Sequence, residues 1–274
     1  MTTTATRPFG VDAARLGQLI TPDPETLHDY LEIRGLHVTF DGFVAVKDVD
    51  LTVTRGDLRF LIGPNGAGKT TVIDAITGLV PATGNATFGL QELLGRPVHR
   101  IARLGVGRTF QTASVIEELD VLGNLDLAAG ATRSAVSRLR ARRTVPARVT
   151  EALEAIGLAD QRFRTAGALA HGQKQWLEVG MLLVQGARLL LLDEPVAGMS
   201  QAEREQTAEL LRAIAPHRVV VVVEHDMDFL RAVADSVTVL AAGEVLAEGS
   251  VSEIQNDPRV QEIYLGTPVR EGGR

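Results

Sequence analysis

Residues 60–71 read FLIGPNGAGKTT, a run in which Gly63, Gly66 and Gly68 lead directly into Lys69, Thr70 and Thr71. Glycine loses more freedom on ordering than any other residue, so a loop that repeats it at short intervals must bring backbone close to something. The spacing Gly63-x-x-x-x-Gly68-Lys69-Thr70 suits phosphate. The candidate binding loop is therefore Gly63, Pro64, Asn65, Gly66, Ala67, Gly68, Lys69, Thr70 and Thr71. Its backbone N–H groups would cradle phosphate oxygens at the positive end of the helix that follows. Lys69 would reach the β and γ phosphates, and Thr70 would hold Mg²⁺. The loop alone does not say what the phosphate is spent on.

Carboxylates and a histidine could supply the rest of a hydrolytic site. The segment LLLLDE ends in Asp193 and Glu194, directly after an apolar strand. The first can hold Mg²⁺ through water and the second can orient an attacking water. Acidic residues also end strands merely because they are solvated there, so the pair gains weight only beside the phosphate loop. His225 follows VVVVVE at another strand end. Alone it reads as an ordinary surface or core histidine; beside a phosphate site it could read the γ-phosphate and steady the water. Gln111, in GVGRTFQ, could complete the Mg²⁺ and water shell, although taken alone it is an ordinary loop residue. The stretch ALAHGQKQWLEVG, residues 168–180, opens a helix at Gly172 and Gln173, with Trp176, Leu177, Met181 and Leu182 as an apolar stripe.

The elements that must position these residues follow from the hydrophobic pattern. YLEIRGLHVTF (30–40) and FVAVKDVDLTVTRG (43–56) alternate apolar and polar residues, as half-buried antiparallel strands do. LRFLIG (59–63) enters the glycine loop, and KTTVIDAITGLV (69–80) has helical spacing up to Gly78, which makes strand, loop, helix. PATGNATFGL carries turn signals and predicts another hairpin. Residues 97–170 hold little strand signal; ELDVLGNLDLAAG, capped by Asp120, and ARVTEALEAIGL read as helices. Between them RSAVSRLRARRTVPAR carries six arginines from Arg133 to Arg148 and reads either as a solvated helical insert or as a surface near anionic lipid or an acidic partner. RLLLLDE and HRVVVVVEHD are near-continuous apolar runs that suit parallel strands covered on both faces. DSVTVLAAGEVLAEG predicts a β-rich tail and DPRVQEIYLG a short closing helix.

The 274 residues suffice for one large domain with a subdomain. A formal charge of −6 argues against a nucleic-acid partner bound through bulk electrostatics. The lack of cysteine removes disulfides and thiolate metal sites and fits a reducing compartment. No run of about 18 apolar residues is present to span a bilayer, and the first residues lack the basic start and apolar run of a secretory signal. Residues 1–29 read as a polar, flexible extension and residues 267–274 as a flexible tail. The protein is expected to be cytoplasmic, reaching a membrane only through a partner.

The order of these motifs along the chain carries a resemblance. Phosphate loop, Gln111, the helix start at Leu169–Gln173, Asp193–Glu194 and His225 follow one another as in the ATP-binding subunit of an ATP-binding-cassette (ABC) transporter, which residues 30–266 resemble. The resemblance implies an α/β fold of the P-loop NTPase class, a RecA-like core with an antiparallel β subdomain and a helical signature subdomain within residues 97–180. It implies that Lys69 and Thr70 belong to the Walker A loop, Gln111 to the Q-loop, Leu169 to Gln173 to the signature, Asp193 and Glu194 to Walker B, and His225 to the switch. Phe40 stands where the family stacks an aromatic ring on adenine, and Ala197 to Ser200 stand at the D-loop.

ATP and Mg²⁺ are then the implied ligands, with Glu194, His225 and Gln111 catalytic and Thr70, Gln111 and Asp193 on the metal. Two ATPase subunits of this family close head to tail, so Ala170, His171, Gly172 and Gln173 would meet the nucleotide of the other subunit. The implied partners are two transmembrane permease subunits, a second related ATPase (a heterodimer, with a homodimer allowed in isolation) and a solute-binding protein, with no nucleic acid. The place is the cytoplasmic face of the inner or plasma membrane, peripheral through the permeases. FDGFVAV, HGQKQWLEVGMLL, LLLDEPVAGM and VQEIYLG look like the ATPase of importers of urea or short amides, with branched-chain amino acid importers as the alternative. A non-transport ABC ATPase is a further reading, weakened by the lack of a long coiled coil, zinc insert or second cassette. Residue 170 is alanine where the family's signature usually has serine.

Overall fold

The alternating strands pair as their pattern requires. In the computed structural model, which describes residues 29–110, 114–131 and 145–265, β1 (Tyr30–Phe40) and β2 (Phe43–Thr54) form an antiparallel hairpin. Its two-residue turn, Asp41 and Gly42, has positive φ at both positions, the twist that tight hairpins favour. β4 (Thr83–Phe88) joins the other edge of β1, and β5 (Gln91–Glu92) completes a sheet ordered β2-β1-β4-β5. The inward side chains, Leu31, Ile33, Val38, Val46, Leu51 and Val53 among them, pack with Val72, Ile73 and Ile76 of α1 (Lys69–Ile76).

The second sheet is built from the apolar runs. β3 (Leu58–Ile62), β7 (Leu189–Asp193) and β8 (Val219–Val223) are buried at every position, as strands covered on both faces are. With β6 (Val106–Arg108), β9 (Ser236–Ala241) and β10 (Glu244–Gly249) they form six strands in the order β10-β9-β3-β8-β7-β6. All neighbours are parallel except β10, which turns back on β9. β6 lies within the residues 97–170 that hold little strand signal: three residues are too few to show a period, so only pairing with β7 reveals the strand.

Helices cover the sheet and build the lobe beside it. They are α2 (Val98–Arg103), α3 (Val121–Ala131), α4 (Ala147–Ala155), α5 (His171–Gln185), α6 (Gln201–Ile214), α7 (Met227–Val233), α8 (Val251–Asn256) and α9 (Pro258–Leu265). Asp120 caps α3 as expected, its Oδ1 accepting from the Gly123 N–H at 2.6 Å. Val121, Leu125, Val149, Leu153, Trp176 and Leu177 share one core that runs from α3, α4 and α5 to the sheet. Trp176 Nε1 donates to Thr207 Oγ1 at 2.9 Å and so ties α5 to α6.

All but the last residue of the expected extension (1–29), residues 133–144 of the arginine-rich insert and the expected tail (267–274) lie outside the described residues. Asp29, which the sequence assigns to the extension, is buried and accepts from Arg188 Nη1 at 2.7 Å. No helix among the described residues is long and apolar enough to cross a membrane. Phe60 of β3 is fully buried, with its ring 6.0 Å from that of Phe229 on α7. Phe60→Ala is expected to cost about 3–5 kcal/mol of unfolding free energy through lost burial and a residual cavity. Urea denaturation of both proteins measures it.

Candidate functional site

Because β3, β8 and β7 run side by side in one direction, their carboxyl ends release three loops at one edge of the sheet. Ligands of open α/β sheets bind outside such strand ends. The loop after β3 is the glycine-rich one, and it is squeezed. A Cβ on Gly63 (φ 149°) would lie 2.1 Å from the carbonyl oxygen of Leu240, and one on Gly68 (φ 100°) 2.7 Å from that of Ala45. Glycine at both positions is therefore steric necessity, imposed by β9 on one side and β2 on the other.

Lys69 opens α1, and its Nζ donates to the carbonyls of Gly63 at 2.8 Å and Pro64 at 3.0 Å. Burial pushes its pKa below the usual lysine range, while the charges of Glu194 and Asp193 pull it back. An open cleft of about 350 Å³ lies over the loop, lined by Phe40, Phe43, Ala45, residues 65–71, Glu194 and Val223. Phe40, 41% exposed, is among the residues that line this cleft. Its cross-strand partner Phe43, 68% exposed, lines it too and was not anticipated.

The carboxylates sit at the end of β7. Asp193 is buried; its N–H donates to Thr109 Oγ1 at 3.2 Å and its Oδ2 accepts from Arg108 Nη2 at 3.3 Å. Burial raises its pKa, and Arg108 works against that rise. Its Oδ1 is buried with no partner among the described residues. An anionic oxygen left over in this way fits a hydrated Mg²⁺, which takes oxygen ligands and keeps several waters. Glu194 has φ 49°, uncommon for a residue with a side chain, and its N–H donates to the Val223 carbonyl at 2.9 Å.

His225, exposed after β8, places Nδ1 3.5 Å from Glu194 Oε1. Glu224 beside it was overlooked in the sequence. It is buried, and it accepts from the N–H groups of His225 at 2.7 Å, Asp226 at 3.1 Å and Val196 at 3.4 Å. It thereby clasps the loop after β8 to the loop after β7. The signal was present: VVVVVE repeats the pattern of LLLLD, an acid at the end of an apolar strand.

The remaining described candidates are not among the residues that line this cleft. Gln111 lies outside the described residues. Ala170, His171, Gly172 and Gln173 start α5 and are not among the residues that line it. The Ala170 N–H donates to Gln173 Oε1 at 3.1 Å, half of a reciprocal capping box whose other half a methyl side chain cannot supply. Gly172 packs on α6, with Glu203 Oε1 2.8 Å from the point where a Cβ would stand. Further along α5, Glu178 is buried, and its Oε1 accepts from the Ser114 N–H at 3.2 Å while Oε2 has no hydrogen-bond partner among the described residues. A helical stripe does not foretell an inward glutamate. Burial lifts its carboxyl to about 7, against the pull of the N–H groups of Ser114 and Phe110.

Comparison with known proteins bears on most of the chain. Residues 46–197 match the family model described as ABC transporter, and residues 244–270 match that described as branched-chain amino acid ATP-binding cassette transporter. The high-affinity branched-chain amino acid transport ATP-binding proteins LivG of Salmonella typhimurium and BraF of Pseudomonas aeruginosa are similar to it. Each is 36% identical over 249 residues, which span 86% of this chain and 97% of the relative. Among solved structures, an ATP-binding cassette of an ABC transporter in its ADP conformation matches with a TM-score of 0.75 and 29% identity, over 87% of this chain and 99% of that one.

Glu178 makes stability depend on pH. Between its ordinary value of 4.5 and its folded value of about 7, the folded state holds more protons than the unfolded one. The associated stability is complete below the lower value and is lost as pH rises through the upper one, up to about 3 kcal/mol. Denaturation curves collected between about pH 5 and pH 8 are expected to show wild type losing stability with rising pH more steeply than Glu178→Gln. Equal slopes would contradict this.

Proposed function

The chain belongs to the ABC transporter family and has the ABC ATPase fold, and from that premise we propose that it is the ATP-hydrolysing subunit of a branched-chain amino acid importer. The observation that carries the ATPase reading is the single cleft shared by the phosphate loop, Phe40 and Glu194, with Asp193 next to Glu194 at the end of β7. The solute follows from the names of the relatives, which favour branched-chain amino acids over the urea reading; the latter rests on short segments alone.

Phe40 would stack on adenine, and the N–H groups of the loop would hold the phosphates at the start of α1. Lys69, desolvated and now bonded to two carbonyls of its own loop, would exchange them for charge-assisted contacts to phosphate. Thr70 and Asp193, with Gln111, would hold Mg²⁺, which when bound neutralises phosphate charge. Glu194 would orient the attacking water and accept its proton. His225, within 3.5 Å of that carboxylate, would steady it and read the γ-phosphate.

Ala170, His171, Gly172 and Gln173 would cap the nucleotide of a second, non-identical ATPase, in keeping with their place outside this chain's own cleft. Alanine offers the facing phosphate no hydroxyl, so the site capped by this chain would be the slower one. Closure would exclude bulk water from both sites, and different ATP affinities in the open and closed states would couple binding to transport. Two permease subunits would hold the chain at the cytoplasmic face of the membrane and receive a solute-binding protein on the other side.

Lys69→Ala is expected to weaken ATP binding roughly tenfold to a hundredfold, the worth of a charge-assisted contact. Glu194→Gln is expected to keep binding while turnover falls about a hundredfold or more. Nucleotide titration and phosphate release measure the two. The importer itself is tested in vesicles holding the complete complex: ATP-driven uptake of leucine, isoleucine or valine without urea is expected, and uptake of urea alone would overturn the solute.

A further inference from the structure

The arginine that ends β6 connects α1 to the end of β7. Arg108 is nearly fully buried, its side chain 8% exposed, and its guanidinium forks. Nη1 pairs with Asp74 of α1, and Nη2 reaches Asp193 Oδ2 at 3.3 Å. The guanidinium carbon stands 4.9 Å from the centroid of the Phe110 ring. Nε has no partner among the described residues, where the two Nη arms carry the polar contacts.

What the arms join decides what the residue does. Asp74 follows Thr70 by one helical turn, so the two share a face of α1. The other arm ends on the carboxylate of Asp193. Arg108 therefore bridges the helix that carries Thr70 and the strand end that carries Asp193, the two described residues assigned to Mg²⁺. It uses Oδ2 of Asp193 and leaves Oδ1 as the acceptor without a partner among the described residues. The charges fit the same role: two carboxylates and one guanidinium leave one net negative charge, that of a lone aspartate. Asp193 is oriented without its attraction for a cation being cancelled. A lysine could reach one carboxylate but could not fork between both.

We infer that Arg108 is a positioning residue for Mg²⁺: through Asp74 and Asp193 it fixes α1 against the end of β7 and holds Asp193 with Oδ1 available. This rests on the reading of the cleft as an ATP site. A plain packing ion pair would change stability and leave the response to Mg²⁺ unaltered, which separates the two roles.

The test is ATP binding by the full chain, titrated in chelator and then across a series of Mg²⁺ concentrations. Arg108→Ala and Asp74→Asn are expected to keep Mg²⁺-free affinity within about twofold of wild type. They are expected to need roughly tenfold or more Mg²⁺ for the half-maximal effect, as removal of such supporting partners does elsewhere. Arg108→Lys should fall between. Because both residues act through one fork, the double variant should be no worse than Arg108→Ala alone. Thermal melting establishes that each variant is folded; should Arg108→Ala fail to fold, Asp74→Asn and Arg108→Lys decide the matter. A Mg²⁺ requirement unchanged from wild type overturns the inference. So does an equal loss of affinity with and without Mg²⁺. If wild type binds no ATP under any condition, the ATP site itself falls, and the inference with it.

Discussion

Parallel pairing of β3, β8 and β7 is the constraint from which the rest of the molecule follows. Their register, with Leu58 and Leu190 both opposite Val220, aligns three carboxyl ends on one edge. The glycine loop, Glu224–His225 and Asp193–Glu194 thus become neighbours although long stretches of chain separate them. Parallel neighbours need crossover connections, so helices must cover the sheet, and the strands can be apolar throughout. The antiparallel sheet then packs on α1 from outside, and its hairpin brings Phe40 and Phe43 to the mouth of the cleft.

Electrostatics at that edge is governed by burial. Desolvation moves Lys69 down and Asp193 up, so each is pushed toward its neutral form by the same cause. Partial remedies are built in: carbonyls of the loop for Lys69, Arg108 and a threonine hydroxyl for the end of β7, and three backbone N–H groups for Glu224. Polar groups poised in this way interact more strongly with an incoming polyanion and cation than they would in water. The half-satisfied state of Asp193 and Lys69 is what a nucleotide with its metal would complete.

Much of this was legible in the sequence because the signals were local. A glycine spacing, an acid after four leucines and a histidine after five valines and a glutamate each announce themselves within a few residues. What was not legible depends on three dimensions. β6 is too short to show a period. Phe43 matters only because Phe40 faces it across a turn. Arg108, Glu224 and Glu178 acquire roles from burial, which a single glutamate or arginine in the chain does not disclose. The solute was not legible: short segments pointed to urea, whereas the relatives similar over most of the chain are branched-chain amino acid transport proteins.

The central claim is that this strand edge binds Mg²⁺-ATP, and a structure of the full chain with Mg²⁺ and a non-hydrolysable ATP analogue tests it most directly. The expected result is a triphosphate wrapped by residues 63–71, with Lys69 Nζ moved from the carbonyls of Gly63 and Pro64 to phosphate oxygens and Mg²⁺ beside Thr70 and Asp193. A nucleotide bound elsewhere, with Lys69 still on those two carbonyls, would contradict it.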